Sequence, residues 1–184
     1  HASTAETFGP ELLVGLRGKY QAAGVLAPNG KIYFAPGTAF CPLVVDPNAS
    51  TAEILGPAVI AAPPAYAAAG VLAPDGKIYF APLDFPHVLV IDPRESTAEL
   101  LGPELPGTFR YEAAGVLAPD GKIYFAPFGA PCALVIDPCE ASVRMLGREL
   151  NWTSKYAAAG VLAPNGKIYF APSKATQALV IDPL

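Results

Sequence analysis

Methionine and tryptophan are almost missing from this chain, with one of each in 184 residues, and histidine and cysteine are nearly as scarce. The only histidines are His1 and His87, and the three cysteines, Cys41, Cys132 and Cys139, form no C-x-x-C spacing. An odd, scattered set of thiols is neither a disulfide framework nor a zinc-finger signature. No Cys–His or Ser–His–Asp arrangement is indicated, so nucleophilic catalysis has nothing specific to stand on. Charge is also sparse: charged residues make up 15% of the chain and the net charge is −4, which leaves no basic footprint for nucleic acid or an anionic membrane. Apolar runs stay short of the roughly 18 residues a membrane span needs. The longest uncharged stretch, Ile54 to Pro74, is broken by Gly56, Pro57, Pro63, Pro64 and Gly70. Because Met145 is the only methionine, the chain starts at His1 without an initiator, as expected after secretion, organelle import or removal of a tag.

What is present is repetition. Gly-Val-Leu-Ala-Pro-(Asn/Asp)-Gly-Lys-Ile-Tyr-Phe-Ala-Pro begins at Gly24, Gly70, Gly115 and Gly160, at spacings of 46, 45 and 45 residues. A second block, ending in Asp-Pro, follows each copy and places aspartates at 46, 92, 137 and 182. A third block, close to Ser-Thr-Ala-Glu-x-Leu-Gly, follows only the first three, at Ser50, Ser96 and Ala141; its fourth copy stands at the other end of the chain, as Ser3 to Gly9. Each unit holds four short apolar strands, a to d, separated by turn residues. The Ala-Pro-(Asn/Asp)-Gly-Lys segment is a strong hairpin signal between a and b. Periods of this length with this content predict an all-β, single-domain, four-bladed β-propeller over residues 1–184. The blades run over about 20–56, 66–102, 111–147 and 156–183, the last completed by an N-terminal strand at 3–9 so that no sheet edge is left at the closure. A monomer is expected; the rival is a half-ring that dimerises into eight blades. Small residues such as Ala23 and Gly24 in strand a suit a narrow axis.

The Asp-Gly-Lys-Ile-Tyr core followed by Val-Ile-Asp-Pro resembles YVTN-type and NHL-type propeller repeats. It resembles still more the Gly-Val-Leu-Ala-Pro-Asn-Gly-Lys-Ile-Tyr repeat proteins of algae and protists. The resemblance implies a propeller used for binding or scaffolding, and brings no catalytic residues with it. Similarity to four-bladed hemopexin-like propellers adds a small ion or waters on the axis as an alternative to a site with no cofactor.

Lys31, Lys77, Lys122 and Lys167 could form an anion-binding ring, but a short b–c loop would put each opposite Asp46, Asp92, Asp137 or Asp182 and neutralise it. Tyr20, Tyr66, Tyr111 and Tyr156 either encircle the channel mouth or pack with one hydrogen bond each. Cys41, His87, Cys132 and Gln177 share one repeat position, yet lie on different blades, too far apart for metal bonds of about 2.0 to 2.3 Å. The b–c loops and d–a connections differ in every blade, among them Leu13 to Lys19 and Glu149 to Lys155. They carry the non-repeat aromatics Phe40, Phe85, Phe109, Phe128 and Trp152, which with His87 are the candidate binding residues. The expected function is a non-catalytic module presenting this loop face to a protein partner. A carbohydrate-binding propeller, or a consensus repeat made for its fold alone, is the alternative.

Overall fold

The computed structural model describes residues 3–9, 11, 17–56 and 65–183, and it is a four-bladed, all-β propeller fold. Blade 1 comprises β1 (Val25–Leu26), β2 (Ile32–Phe34), β3 (Leu43–Asp46) and β4 (Thr51–Ile54). Blade 2 comprises β5 (Val71–Leu72), β6 (Ile78–Phe80), β7 (Val88–Asp92) and β8 (Thr97–Leu101). Blade 3 has β9 (Val116–Leu117), β10 (Ile123–Phe125), β11 (Ala133–Asp137) and β12 (Ser142–Leu146); blade 4 has β13 (Val161–Leu162), β14 (Ile168–Phe170) and β15 (Leu179–Ile181). Every blade is an antiparallel meander in sequence order.

The a–b turn forms as its residues dictate. Gly30 adopts φ 80°, its N–H donates to the Ala27 carbonyl at 3.0 Å, and Asn29 Oδ1 accepts from the Lys31 N–H at 3.1 Å. Strand a is shorter than expected, because strand b ends at Ala35-Pro36 and proline offers no donor opposite Ala22 and Ala23. Its glycine has a different cause from the narrow axis. A Cβ on Gly24 would lie 2.5 Å from the Phe34 ring, and Gly70, Gly115 and Gly160 each meet the ring of Phe80, Phe125 or Phe170 at 2.4 Å. The phenylalanine of strand b lies over the glycine of strand a, an aromatic covering a bare stretch of backbone.

Three apolar clusters join consecutive blades. In each, the back face of one blade meets the front face of the next. Between blades 3 and 4, Ala118, Tyr124, Ala126 and Val135 pack on Tyr156, Ile168, Phe170 and Ile181. The junction of blade 4 with blade 1 is not built this way. Val161, Tyr169 and Val180 are 65%, 37% and 47% exposed, whereas Tyr124 and Val135 of blade 3 are 2% and 1% exposed. On blade 1, Ile32, Phe34 and Val45 are only half-buried, although their counterparts in the other blades are fully buried.

The strand expected from Ser3 to Gly9 is not formed: residues 3–9 carry no strand, and the fourth sheet has three. The two faces that would have to meet for that pairing stay open to solvent. The segment nevertheless has a place. A Cβ on Gly9 would come within 2.8 Å of Ala52 Cβ in β4, just as one on Gly102 would come within 2.7 Å of Val143 Cβ in β12.

Candidate loop-end binding site

At the end of the propeller that carries the b–c loops and d–a connections, the backbone makes the same bonds at each packed junction. The residue before each strand-a tyrosine donates its N–H to the preceding blade: Ala65 to Gly37 at 2.8 Å, Arg110 to Leu83 at 2.9 Å and Lys155 to Phe128 at 3.0 Å. Its carbonyl accepts from its own blade's b–c loop, at Leu83, Phe128 and Ser173, each at 2.7 Å. Two cations reinforce these loops from within. The Arg110 guanidinium, 7% exposed, donates to the carbonyls of Leu105, Leu83, Asp84 and Phe85. Burial holds it below the usual arginine value, and Asp84, Tyr111 and Glu104 partly restore it. Lys155 is buried, donates to the Trp152 carbonyl, and is held by burial below the ordinary lysine value.

The strand-a tyrosines do not line the mouth. Tyr20, Tyr66, Tyr111 and Tyr156 donate to the carbonyls of Cys41, His87, Cys132 and Gln177 at 3.2, 3.0, 3.1 and 3.0 Å. The repeat position that carries cysteine and histidine therefore serves through its backbone. Two of its side chains reach the glycine that follows strand d, His87 Nδ1 bonding the Gly102 carbonyl at 3.1 Å and Cys132 Sγ the Gly147 carbonyl at 3.6 Å. Burial raises the Cys41 and Cys132 thiols above their ordinary value, which disfavours a reactive thiolate. Among the described residues, no three His, Cys, Asp or Glu side chains could together hold a metal ion.

The axial mouth is a cavity of about 820 Å³, lined by Gln21, Thr38, Ala67, Leu83, Phe109, Glu112, Phe128 and Ala157. Gln21, Ala67, Glu112 and Ala157 are the residues directly after the four tyrosines, one from each blade. Their variation between units, against the invariant tyrosines beside them, is the signal for them in the sequence. A second cavity, of about 450 Å³, is lined by Gly107, Thr108, Phe109, Phe128, Gly129, Thr153 and Ser154.

Of the candidate binding residues, the structure brings Phe109 and Phe128 together, since both line both cavities. Phe109 is 54% exposed and held at φ 48°, a left-handed conformation that is a genuine outlier for a bulky side chain. Its N–H donates to Asp84 Oδ1 at 2.7 Å and its carbonyl accepts from the Gly129 N–H at 2.6 Å. Phe85 folds down instead, its ring 6.2 Å from Tyr66 and 6.0 Å from His87, so these two residues cover the end of a blade. Phe40 is exposed but borders neither cavity. Trp152, 60% exposed, stands apart beside Arg148 and Leu150. Most of the Leu13 to Lys19 connection, and His1, lie outside the described residues.

At the other end, the four lysine–aspartate pairs form as the register required: Lys31–Asp46 at 3.6 Å, Lys77–Asp92 at 3.7 Å, Lys122–Asp137 at 3.6 Å and Lys167–Asp182 at 2.8 Å. The strand-b tyrosines bond the turn residues of strand a, with Tyr79 donating to Asp75 and Tyr124 to Asp120 at 2.7 Å each.

No family model matches the sequence, and no curated protein matches it. Solved propeller-like structures do match in fold. Virginiamycin B lyase from Staphylococcus aureus is 13% identical with a TM-score of 0.71, over 91% of this chain and 54% of that one. An auxiliary nutrient binding protein from Bacteroides ovatus is 14% identical with a TM-score of 0.59, over 89% of this chain and 39% of that one. The extracellular domain of a one-component system from B. thetaiotaomicron is 7% identical with a TM-score of 0.61, over 82% of this chain and 20% of that one. The chain thus spans about half the length of the lyase and less of the other two. No helix among the described residues is long and apolar enough to cross a membrane.

Proposed function

We propose that the chain is a non-catalytic binding module whose loop end receives a protein partner, with Phe109 and Phe128 as the central anchors. One observation carries this reading: an exposed phenylalanine is held in a strained backbone conformation at the wall shared by two cavities. Strain of this kind costs of order 1–3 kcal/mol and persists only where surrounding structure imposes it, commonly at ligand clamps and other functional sites. Exposed aromatics beside a concave surface are the usual hot spots of interfaces. The non-catalytic reading is supported by the lining of the axial cavity, whose one ionisable side chain among the described residues is Glu112. His87 is occupied with Gly102 and Phe85. A lyase is among the proteins of similar fold, but so are a nutrient-binding protein and a sensor domain, and fold alone does not transfer activity.

A saccharide is the second reading, favoured by the size of the axial cavity and by the hydroxyls of Thr108, Thr153 and Ser154 around Phe109. Pull-down from the native source with wild type and Phe109→Ala decides the first reading, and a glycan array the second. Loss of a specific protein partner with Phe109→Ala is expected. Equal recovery by both, with loss in a turn-end variant such as Asp120→Ala, would place the site at the wrong end.

A further inference from the structure

We infer that the open faces of blades 1 and 4 are an assembly interface for a second copy of this chain, packed head to tail, with each copy's Ser3 to Gly9 segment completing the other's fourth blade. This departs from the expected monomer.

The molecule itself displays the contact three times. Every packed junction sets valine, alanine and tyrosine of a back face against isoleucine, phenylalanine and leucine of the next front face. Blade 4 presents that back face again, with Val161, Tyr169 and Val180 exposed, and its Ala171 is exposed where Ala35, Ala81 and Ala126 are fully buried. Blade 1 presents the matching front face with Ile32, Phe34 and Val45, each half-buried, and Leu26 is 63% exposed. The back face of blade 4 and the front face of blade 1 carry the same complementary side chains as the three packed junctions, and so fit each other between two copies. Such an interface is heterologous, and two copies of four blades close it into one ring of eight.

The outer strands point to the same occupant. Among the described residues blade 4 has no outer strand, while Gly9 sits against Ala52 as Gly102 sits against Val143. The N-terminal segment therefore stands where the outer strand of a blade preceding blade 1 would stand, and in the paired ring that blade is the partner's fourth. Phe8 takes the repeat position of Leu55 and is exposed, whereas Leu55 is buried. The register of blades 2 and 3, Val90↔Glu99 with Ile91↔Ala98 and Val135↔Arg144 with Ile136↔Val143, assigns Val180 to Glu6 and Ile181 to Ala5 across the copies.

Native mass spectrometry and sedimentation of the wild-type chain test the inference. The expected species is twice 19.1 kDa. A chain that stays at 19.1 kDa at micromolar concentration, or assembles to another multiple, overturns it. Val161→Asp, on a side chain already exposed in the single copy, is expected to raise the dimer dissociation constant about 30-fold or more while leaving the circular dichroism spectrum unchanged. An unchanged constant overturns the assigned face. Strand exchange is read by mixing Glu6→Cys chains with Val180→Cys chains, both carrying Cys139→Ser. A covalent heterodimer forming in the mixture supports the exchange. A double variant that links only within its own chain shows single-chain closure and overturns it.

Discussion

The two ends of the propeller solve the same problem in opposite ways. At the turn end, a lysine–aspartate pair and a tyrosine on an Asn or Asp recur in all four blades, and blades 1 to 3 add aspartate oxygens on backbone N–H groups such as those of Asn48 and Ala49. At the loop end, the repeated contacts are made by backbone and by tyrosine, and the other side chains differ at every junction. Arg110 reaches four carbonyls where the equivalent residues are Lys19, Ala65 and Lys155. Because main-chain bonds already carry each packed junction there, the side chains were released to vary. Variation at that end is therefore a consequence of how the fold is fastened as well as a resource for recognition.

The largest expected effect sharpens this contrast on the stability side. Arg110→Met keeps most of the apolar stem and removes a buried guanidinium, leaving carbonyls of Leu105, Asp84 and Phe85 without that donor. A cost of about 3 kcal/mol is expected, because hydrogen bonds from charged groups are worth about 1.5–3 kcal/mol each and part is recovered by water. Urea denaturation measures it. A cost below that of a turn-end lysine change would show that Arg110 merely fills space.

A smaller effect has opposite signs in two assays. Phe109→Gly removes a side chain that is already half in solvent and relieves the left-handed backbone, so stability should rise by about 0.5–1 kcal/mol. Partner affinity should fall by about 2 kcal/mol in the same variant if Phe109 is an anchor. Gains in both, or losses in both, would break the link between strain and recognition.

How much of this was legible in the residues differs between the ends in the same way. The lysine–aspartate ring could be read directly, because side-chain partners leave matching repeats at Lys77 and Asp92. The bond from Tyr66 to the His87 carbonyl could not, because a backbone acceptor places no demand on residue type; at the repeat position of Cys41, His87, Cys132 and Gln177 the shared contact is the carbonyl, and the side chains of His87 and Cys132 add bonds to the Gly102 and Gly147 carbonyls. The glycine of strand a was legible as necessary but not why, since the covering ring of Phe34 is ten residues away. The open junction was hidden by the repetition itself. Tyr124 and Val135 have the same identities as Tyr169 and Val180, yet the first two are buried against blade 4 and the last two are exposed. The axial cavity was half legible: the variable loops marked the correct end, but Phe40, Phe85, His87 and Trp152 do not join Phe109 and Phe128 there.

The smallest expected effect tests the turn end. In Asp92, burial is the largest single influence and acts to raise the carboxyl, but the Arg94 and Glu95 N–H groups, at 2.9 and 3.3 Å from Oδ1, and Lys77 outweigh it and hold the group below the usual carboxylate value. A depressed folded value means that the contribution to stability is present above the unfolded value of about 3.9 and is lost as pH falls through the folded one. Asp92→Asn keeps an acceptor for the backbone and removes the charge. Its expected cost is about 0.2–1 kcal/mol at pH 7, as for partly exposed pairs, shrinking toward nothing as the pH falls through the depressed folded value of Asp92. Lys77→Met should show the same pH dependence and a similar size, and 1 M salt should reduce both at pH 7 by screening. Urea titrations at pH 7 and at a series of lower pH values, down through the folded Asp92 value, read the difference. A Lys77→Met cost that persists below the folded Asp92 value, where the aspartate is protonated, would mean that the lysine stem rather than the ion pair supports the turn end, and the contrast between side-chain and backbone fastening would then fail at the point where it was simplest to see.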